Sequence, residues 1–416
     1  MVFEAVPSAV GTASRRKATH VKATKKLLAA AVLAGGLVLT ACAPSGDAGT
    51  DGSAASSVNV GIVYSKTGPL AAYGDAYYEG LQAGLDYATE GTGKVGDTAL
   101  NITYHDDGGD PDKAVTVAKE LIGKDYKILA GTASSGIALK LVEQAEQNKV
   151  LYISGPAASD AVTGANKYTF RSGRQSVQDV ATAGTFVDDL EGKKVLVFAQ
   201  DNAFGQGNLA AVEAVLGGQG AEVSSVLVPE DVTEFTPFAR QLVDAKPDLV
   251  FAAWAGATSG AMWEALTQQG AFDAAPIVTG LGDVATYGAF GDAGTELSFL
   301  NHYFPGAAGN DVEKAMIKSV EDAGKEADLF TPDGFVAAQM IVEAVEKGQG
   351  DVERMVAALE GFSFDGPKGP TTVRASDHAL VQNMYQAKLT KDGATWVPEL
   401  VATVPGDDVA PPEAAK

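Results

Sequence analysis

The chain predicts an α/β fold of two doubly wound, parallel-sheet lobes. Three observations carry that prediction: its length, a repeated alternation of strand-like and helix-like segments, and a restart of that alternation midway. At 416 residues it exceeds one small domain and suits two lobes of roughly 100 to 200 residues each. With 46% hydrophobic and 20% charged residues it has ordinary globular composition. That excludes collagen-like, disordered and disulfide-scaffold classes.

The elements follow in order. VNVGIVY (58–64) is an apolar strand run ahead of a helix with Tyr77, Leu81, Leu85 and Ala88 on one face. ALNITYHD (99–106) precedes a helix marked by Ala114, Val117, Ala118 and Leu121; YKILA (126–130) precedes one marked by Ile137, Leu141, Val142 and Ala145; KVLYIS (149–154) follows. Strand-then-helix units of this kind build a parallel sheet covered on both faces. The rhythm restarts after Arg171 with a helix from about Ser176, then KKVLVFA (193–199), AEVSSVLV (221–228), DLVFAAW (248–254) and APIVTG (275–280), separated by helices. Residues 306–360 read as helical, with strands at 370–375 and 381–390. A helical return after the second sheet implies that the chain crosses between lobes more than once. The candidate crossings lie near 171–175, 300–306 and 368–376. The expected division is 58–172 plus 305–369 for the first lobe, 173–304 plus 370–402 for the second, and a tail over 403–416.

Ahead of this body stands an export signal. Residues 22–42, KATKKLLAAAVLAGGLVLTAC, carry a basic start and thirteen apolar residues from Leu27 to Leu39. That run is short of the ~20 that span a bilayer and falls within the about 7 to 15 of a signal-peptide core. Leu39-Thr40-Ala41-Cys42 resembles the lipobox of bacterial lipoproteins, which implies cleavage after Ala41 and acylation of Cys42, the single cysteine of the chain. Residues 1–41 are then a lipoprotein signal peptide, with a true start expected near Val21. Residues 42–57 are a flexible linker without large apolar side chains. The acyl chains would hold the protein on the outer face of the cell membrane.

Charge narrows the partners. The net charge is −22; the first 41 residues contribute six basic residues against Glu4, so the remainder carries −27. Phosphate backbones and anionic lipid repel such a body, and a nucleic-acid partner is not expected.

Catalytic and metal motifs find little support. The four histidines stand singly, no Cys/His spacing suits zinc, and neither a metal nor a cofactor is expected. In DDGGDPD (106–112) a calcium loop starting at Asp106 would place Val117 where a closing Glu is required. Asp110 instead caps a helix beginning at Pro111. Gly205 to Ala210 matches GxGxxA, but four residues separate it from the preceding strand, whereas a dinucleotide fingerprint turns at once. Lys66-Thr67-Gly68 has no Ser-x-x-Lys partner in the mature body, and GTASSG (131–136) misses nucleophile-elbow spacing by one residue. Glycine-serine turns of this kind read as binding loops.

TGPLAAYGDAYYEGLQAGLD (67–86), DDGGDPDKAV (106–115), GTASSG (131–136), ISGPAAS (153–159), YTFRS (168–172) and FAQDNAFGQGNL (198–209) together resemble the branched-chain amino-acid (Leu/Ile/Val) binding proteins of bacterial ABC importers, in order and spacing. The resemblance covers 58–305 well and the rest loosely. It implies a type I periplasmic-binding-protein fold with a three-crossing hinge and a ligand held between the lobes. It places a ligand carboxylate against Ser134 and Ser135 and the turn of Ala157, Ala158 and Ser159; hydroxyls and free amides at helix N-termini suit an anion. It places an ammonium group against a carbonyl near Ala157 and against Asp283, and an aromatic wall of Tyr73, Phe204 and Trp254 around the side chain. Arg171 would tie hinge groups together, while Arg174 could reach an anion in the cleft, which would suit an aromatic acid lacking an ammonium.

The function expected is a monomeric, lipid-anchored extracytoplasmic receptor. It would deliver a small, branched or apolar amino acid to an ABC permease and its ATPase, with no bond broken. Three alternatives stay open: a same-fold receptor for an aromatic or other organic acid or amide, a sensor, and an exported serine hydrolase.

Overall fold

The computed structural model describes residues 56–187, 189–393 and 395–414; the leader, Cys42 and the spacer up to 55 lie outside them. The chain opens with β1 (Ser57–Tyr64), α1 (Ala71–Ala88), the short β2 (Lys94–Val95), β3 (Thr98–Asp106), α2 (Pro111–Gly123), β4 (Ile128–Gly131), α3 (Ser135–Asn148), β5 (Leu151–Ser154) and β6 (Thr169–Arg171). These strands form one sheet in the order β2-β3-β1-β4-β5-β6, parallel except for the β2–β3 hairpin. Helices cover both faces, so β4 and β5 are buried at every residue. Strands buried on both sides read as unbroken apolar runs, and that is why they were visible in the sequence. The cap ahead of Pro111 is made: the Asp110 carboxylate accepts the backbone N–H groups of Asp112 and Lys113.

The second lobe holds α4 (Ser176–Gly184), β7 (Lys194–Gln200), α5 (Ala203–Val215), β8 (Glu222–Val228), α6 (Thr236–Ala245), β9 (Leu249–Ala253), α7 (Ser259–Gln268), α8 (Ala271–Ala274), β10 (Ile277–Gly280), a 3₁₀ run over Val284–Thr295, and β11 (Ser298–Asn301). The chain then returns to the first lobe as α9 (Asp311–Asp322), α10 (Thr331–Gly348), α11 (Val352–Leu359) and a small antiparallel sheet of β12 (Ser363–Gly366), β13 (Gly369–Val373) and β14 (Leu380–Val381). It crosses a third time into β15 (Met384–Asp392) and β16 (Thr395–Val404), which close the second sheet in the order β16-β15-β11-β10-β9-β7-β8. β7 to β11 are parallel, while β15 and β16 are antiparallel additions at one edge.

Core membership locates the crossings. Met340, Ile341, Val373 and Leu380 pack into the core of the first sheet with Val60, Ile62 and Leu129. Tyr385, Ala387 and Leu389 pack into the second with Phe198, Val250 and Ile277. The change of lobe expected at 370 therefore falls later, between Val381 and Met384. The expected tail does not start at 403, because β16 runs to Val404; beyond it Arg374 donates to the Pro411 carbonyl at 2.7 Å, and Asp377 accepts the Ala414 N–H at 2.9 Å.

In both sheets the strand order reverses beside the first strand of the lobe, between β1 and β4 and between β7 and β9. Loops at such switch points diverge and leave a crevice at the carboxyl ends of the strands. The loops after β1 and β4 face those after β7 and β9.

Candidate functional site

A cavity of about 390 Å³ lies between those loops. On the first lobe, Tyr73 stands in the opening turn of α1, 8% exposed, with its ring 4.9 Å from Phe330 in an edge-to-face contact. Burial pushes its phenol up to about 12, the Asp283 carboxylate adding to the shift, while the Gly256 N–H from the second lobe faces the hydroxyl and opposes it. Ser134 is the N-cap of α3, its Oγ accepting the Ile137 N–H at 3.5 Å, and the Ser135 Oγ accepts the Ser159 N–H at 3.2 Å. The start of α3 thus points at the cavity with its amide dipoles aligned.

One residue under this wall was missed in the sequence. Asp107 is fully buried and accepts from Ser65 Oγ at 3.2 Å, Thr132 Oγ1 at 2.8 Å and the Gly109 N–H at 2.8 Å. It ties the loops after β1, β3 and β4 together; burial pushes its carboxyl pKa up, and the three donors oppose that shift. Its neighbour Asp110 drew attention as a cap, whereas Asp107 was passed over because its side-chain partners, Ser65 and Thr132, are distant in sequence.

On the second lobe, Asn202 caps α5 by accepting the N–H groups of Phe204 and Gly205, each at 3.0 Å, and donates to Glu230 at 2.6 Å. Phe204 thereby sits on the wall of the cavity. The GxGxxA match lies inside α5 and forms no phosphate-cradling turn. Trp254 follows β9, stacks on Phe198 at 5.7 Å, and donates its indole N–H to Thr258 at 3.0 Å. Deeper in, Trp263 and Phe290 line the cavity with ring centres 5.0 Å apart.

The cavity also takes in Arg174, Asp179, Asn301, His302, Leu329 and Phe330. Arg174 pairs with Asp179 at 3.2 Å, donates to the Pro156 carbonyl at 2.7 Å, and lies 5.3 Å over the Phe330 ring. Arg171 is 1% exposed and donates to the carbonyls of Ala157 at 2.6 Å, Arg174 at 2.9 Å and Ser159 at 3.1 Å. It binds the turn after β5 to the first crossing.

Of the ten candidate contact residues, Tyr73, Ser134, Ser135, Ala158, Arg174, Phe204 and Trp254 stand on the wall. Ala157, Ser159 and Asp283 do not. The Ala157 carbonyl is turned to Arg171. Ser159 is 4% exposed behind Ser135. The Asp283 carboxylate faces the backbone N–H groups of Ala285 and Thr286, capping the 3₁₀ run, and burial raises its pKa. Leu329, Phe330, His302, Trp263 and Phe290 were not anticipated: the second crossing and the return segment bring the first three to the cavity, and α7 and the 3₁₀ run bring Trp263 and Phe290.

Two properties of the described residues bear on chemistry and location. No group of three or more His, Cys, Asp or Glu side chains among them is arranged to hold a metal ion. No helix among them is long and apolar enough to cross a membrane.

A family model described as periplasmic binding protein matches residues 57–394. The Leu/Ile/Val-binding protein BraC3 of Rhizobium johnstonii is 24% identical over 322 residues, 76% of this chain and 86% of that protein. The crystal structure of an ABC-type branched-chain amino acid transporter from Rhodopseudomonas palustris is 31% identical, with a TM-score of 0.72 over 86% of this chain and 100% of the other. An R. palustris ABC-transporter solute binding protein in complex with benzoate is 25% identical, with a TM-score of 0.71 over 84% of this chain and 98% of the other. With two α/β lobes, a cavity at their facing switch points and a family match over most of its length, the chain belongs to the periplasmic binding proteins, the extracytoplasmic solute-binding components of ABC transporters.

Proposed function

We propose that this protein is the lipid-anchored receptor of an ABC importer, and that its solute is a small organic acid with a flat apolar body, clamped between the lobes. The observation that carries the ligand class is the set of charges around the cavity. A cation, Arg174, stands on the wall with the N-terminus of α3 and its two serines. Most acceptors that an ammonium group would use are engaged: the Ala157 carbonyl by Arg171, Asp179 by Arg174, one Glu230 oxygen by the Asn202 amide, and Asp283 by the backbone of the 3₁₀ run. A buried ammonium without an acceptor is costly, while a carboxylate finds donors here. Phe204, Trp254, Trp263 and Phe290 offer ring faces to an apolar body. Contacts from both lobes exist together only in the closed form, so binding shifts the open–closed equilibrium toward the shape a permease recognises. No bond is broken.

The second reading is a branched-chain amino acid, favoured by the names of the R. johnstonii and R. palustris relatives. Titration calorimetry against benzoate, hydroxybenzoates, leucine, isoleucine, valine, amides and sugars separates the two. The expected result is binding of an aromatic carboxylate with Kd of ~1 μM or tighter, about −8 kcal/mol. Binding of leucine, isoleucine or valine with no response to aromatic acids would establish the second reading. The anchor has its own test: membrane partitioning of the expressed precursor is expected to be abolished by Cys42→Ser, and unaltered partitioning would remove the lipid.

A further inference from the structure

Behind the cavity, where the chain crosses between lobes, lies a dry cluster of charges. Asp333, in the first turn of α10, is 1% exposed; His302, just past β11, is 3% exposed; Lys368, in the turn between β12 and β13, is 2% exposed. The Lys368 ammonium lies 3.1 Å from His302 Nδ1. An ammonium can only donate, so Nδ1 accepts and the imidazole proton resides on Nε2, which donates to Asp333 Oδ1 at 2.5 Å. The other carboxyl oxygen, Asp333 Oδ2, has no hydrogen-bond partner among the described residues. The first crossing presses directly on it, because a Cβ at Gly173 would collide with Oδ2. His302, Arg174 and Asp179 connect the cluster to the cavity, whose wall they form.

We propose that binding of a carboxylate solute in this cavity is coupled to uptake of one proton by Asp333, at the orphaned oxygen. The argument is one of charge balance in a dry site. The groups facing Asp333 are Lys368 from the β12–β13 turn, Arg174 and Arg171 from the first crossing, Asp179 from α4, His302 from the second crossing and Tyr77 from α1. With Asp160 beside Arg171, three cations face three carboxylates when Lys368, which burial lowers to about 7, carries its proton, and His302 is neutral; uptake at Lys368 in place of Asp333 would persist in Asp333→Asn. A carboxylate arriving at Arg174 leaves one negative charge in excess, which buried surroundings penalise heavily. A proton from solvent on Asp333 restores neutrality and removes the charge from an oxygen that nothing solvates. His302 keeps its bond to Oδ1 in either state. Burial already pushes the Asp333 carboxyl up to about 7, against the lowering effect of Lys368, Arg174 and Arg171. A carboxylate nearby raises it further.

This inference rests on the carboxylate reading, and its test separates the two. Benzoate is titrated into the full chain at pH ~7 in two buffers of different ionisation enthalpy, which reports the protons taken up. The expected result is uptake of about half a proton per benzoate bound at pH ~7, rising toward one at pH ~8, with affinity weakening by up to about tenfold per pH unit from pH ~7 to ~8. Asp333→Asn, which keeps an acceptor for His302, is expected to abolish both. Benzoate binding with identical heats in the two buffers would overturn the proposal while leaving the carboxylate reading in place. Failure of benzoate and its hydroxylated relatives to bind would sink that reading. In that event infrared titration of the ligand-free wild type decides the cluster. A buried carboxylic-acid carbonyl band that titrates near neutrality and is missing in Asp333→Asn supports the assigned proton; its absence from the wild type overturns it.

Discussion

Tyr73 offers the cavity two separable groups, a ring packed on Phe330 and a hydroxyl facing the Gly256 N–H across the cleft. Tyr73→Phe keeps the first and removes the second. It is expected to weaken solute binding by about fivefold, the ~1 kcal/mol of one net hydrogen bond, whereas Tyr73→Ala loses the aromatic wall as well and is expected to cost about tenfold to a hundredfold. Calorimetry with the tightest solute of the panel checks both, and unchanged affinity in both variants would remove Tyr73 from the site. Ser135→Ala leaves the Ser159 N–H without its partner, so its expected loss of affinity comes with a fall in stability of ~1–3 kcal/mol. Ser134 and Phe204 were placed in the sequence only through the family resemblance, and the structure puts both on the cavity wall, Ser134 as the cap of α3 and Phe204 two residues past the cap of α5. Trp263, Phe290 and His302 had no such mark. In the sequence they are indistinguishable from core aromatics or a lone histidine, and the cavity claims them only after the sheets are assembled.

Helices α1 and α10 run against each other at a separation set by missing side chains. A Cβ at Gly334 would overlap the Tyr77 carbonyl oxygen, and one at Gly80 would overlap that of Thr331. These helices carry Tyr73 and Asp333, so their spacing is part of the site. Gly334→Ala is expected to destabilise the protein by ~3 kcal/mol, since backbone cannot give way as a side-chain tip can. Urea unfolding checks it against Lys347→Ala on the exposed face of α10, where a change within about 0.5 kcal/mol is expected; equal midpoints for the two variants would refute the packing argument. At this scale the sequence was most informative where burial was symmetrical. β7 and β9 read as strands from their apolar runs, and the return over 306–360 read as helix, which resolves into α9, α10 and α11. β16 was lost because it is an edge strand, exposed at Leu400 and Val401 and interrupted by Pro398, so neither alternation nor apolar continuity marks it. The 3₁₀ run over Val284–Thr295 is built from Gly and Ala without periodicity, and the Asp283 cap that starts it resembled a loop aspartate.

The whole molecule is strongly acidic, at −22, and it buries several carboxyls. Burial raises the pKa of Asp107, Asp160, Asp179 and Asp283, and takes Asp328 to about 6 and Asp333 to about 7. Each is higher folded than unfolded, so between the unfolded value near 3.8 and the folded one the native state holds more protons, and stability falls as pH rises. That contribution is fully present below the unfolded pKa and is gone once pH exceeds the folded one, near 7 for Asp333. Asp106 has the opposite sign. Although its partial burial works against it, hydrogen bonds from Thr67 and Lys113 hold its pKa below the usual range, so its stabilisation is lost only as pH falls below ~3.8. Lys368, lowered by burial to about 7, adds its own dependence only above that pH. His302 opposes the raised carboxyls, because burial holds it well below its ordinary 6.5 and the unfolded chain takes up that proton where the native one does not. The raised carboxyls outnumber it, so the stability maximum falls in mild acid, and relief of self-repulsion in a chain this negative works in the same direction. The unfolding midpoint is therefore expected to rise from pH ~7 to ~5 and to fall again below ~4, measured by scanning calorimetry at constant ionic strength. Asp328 adds a second readout, because it accepts the Val284 N–H at 3.2 Å and so joins the return helices of one lobe to the other. Asp328→Asn is expected to keep that link and flatten the rise between pH ~6 and ~5. A midpoint that instead climbs steadily from pH ~5 to ~7 would mean that these carboxyls are solvated in the native protein.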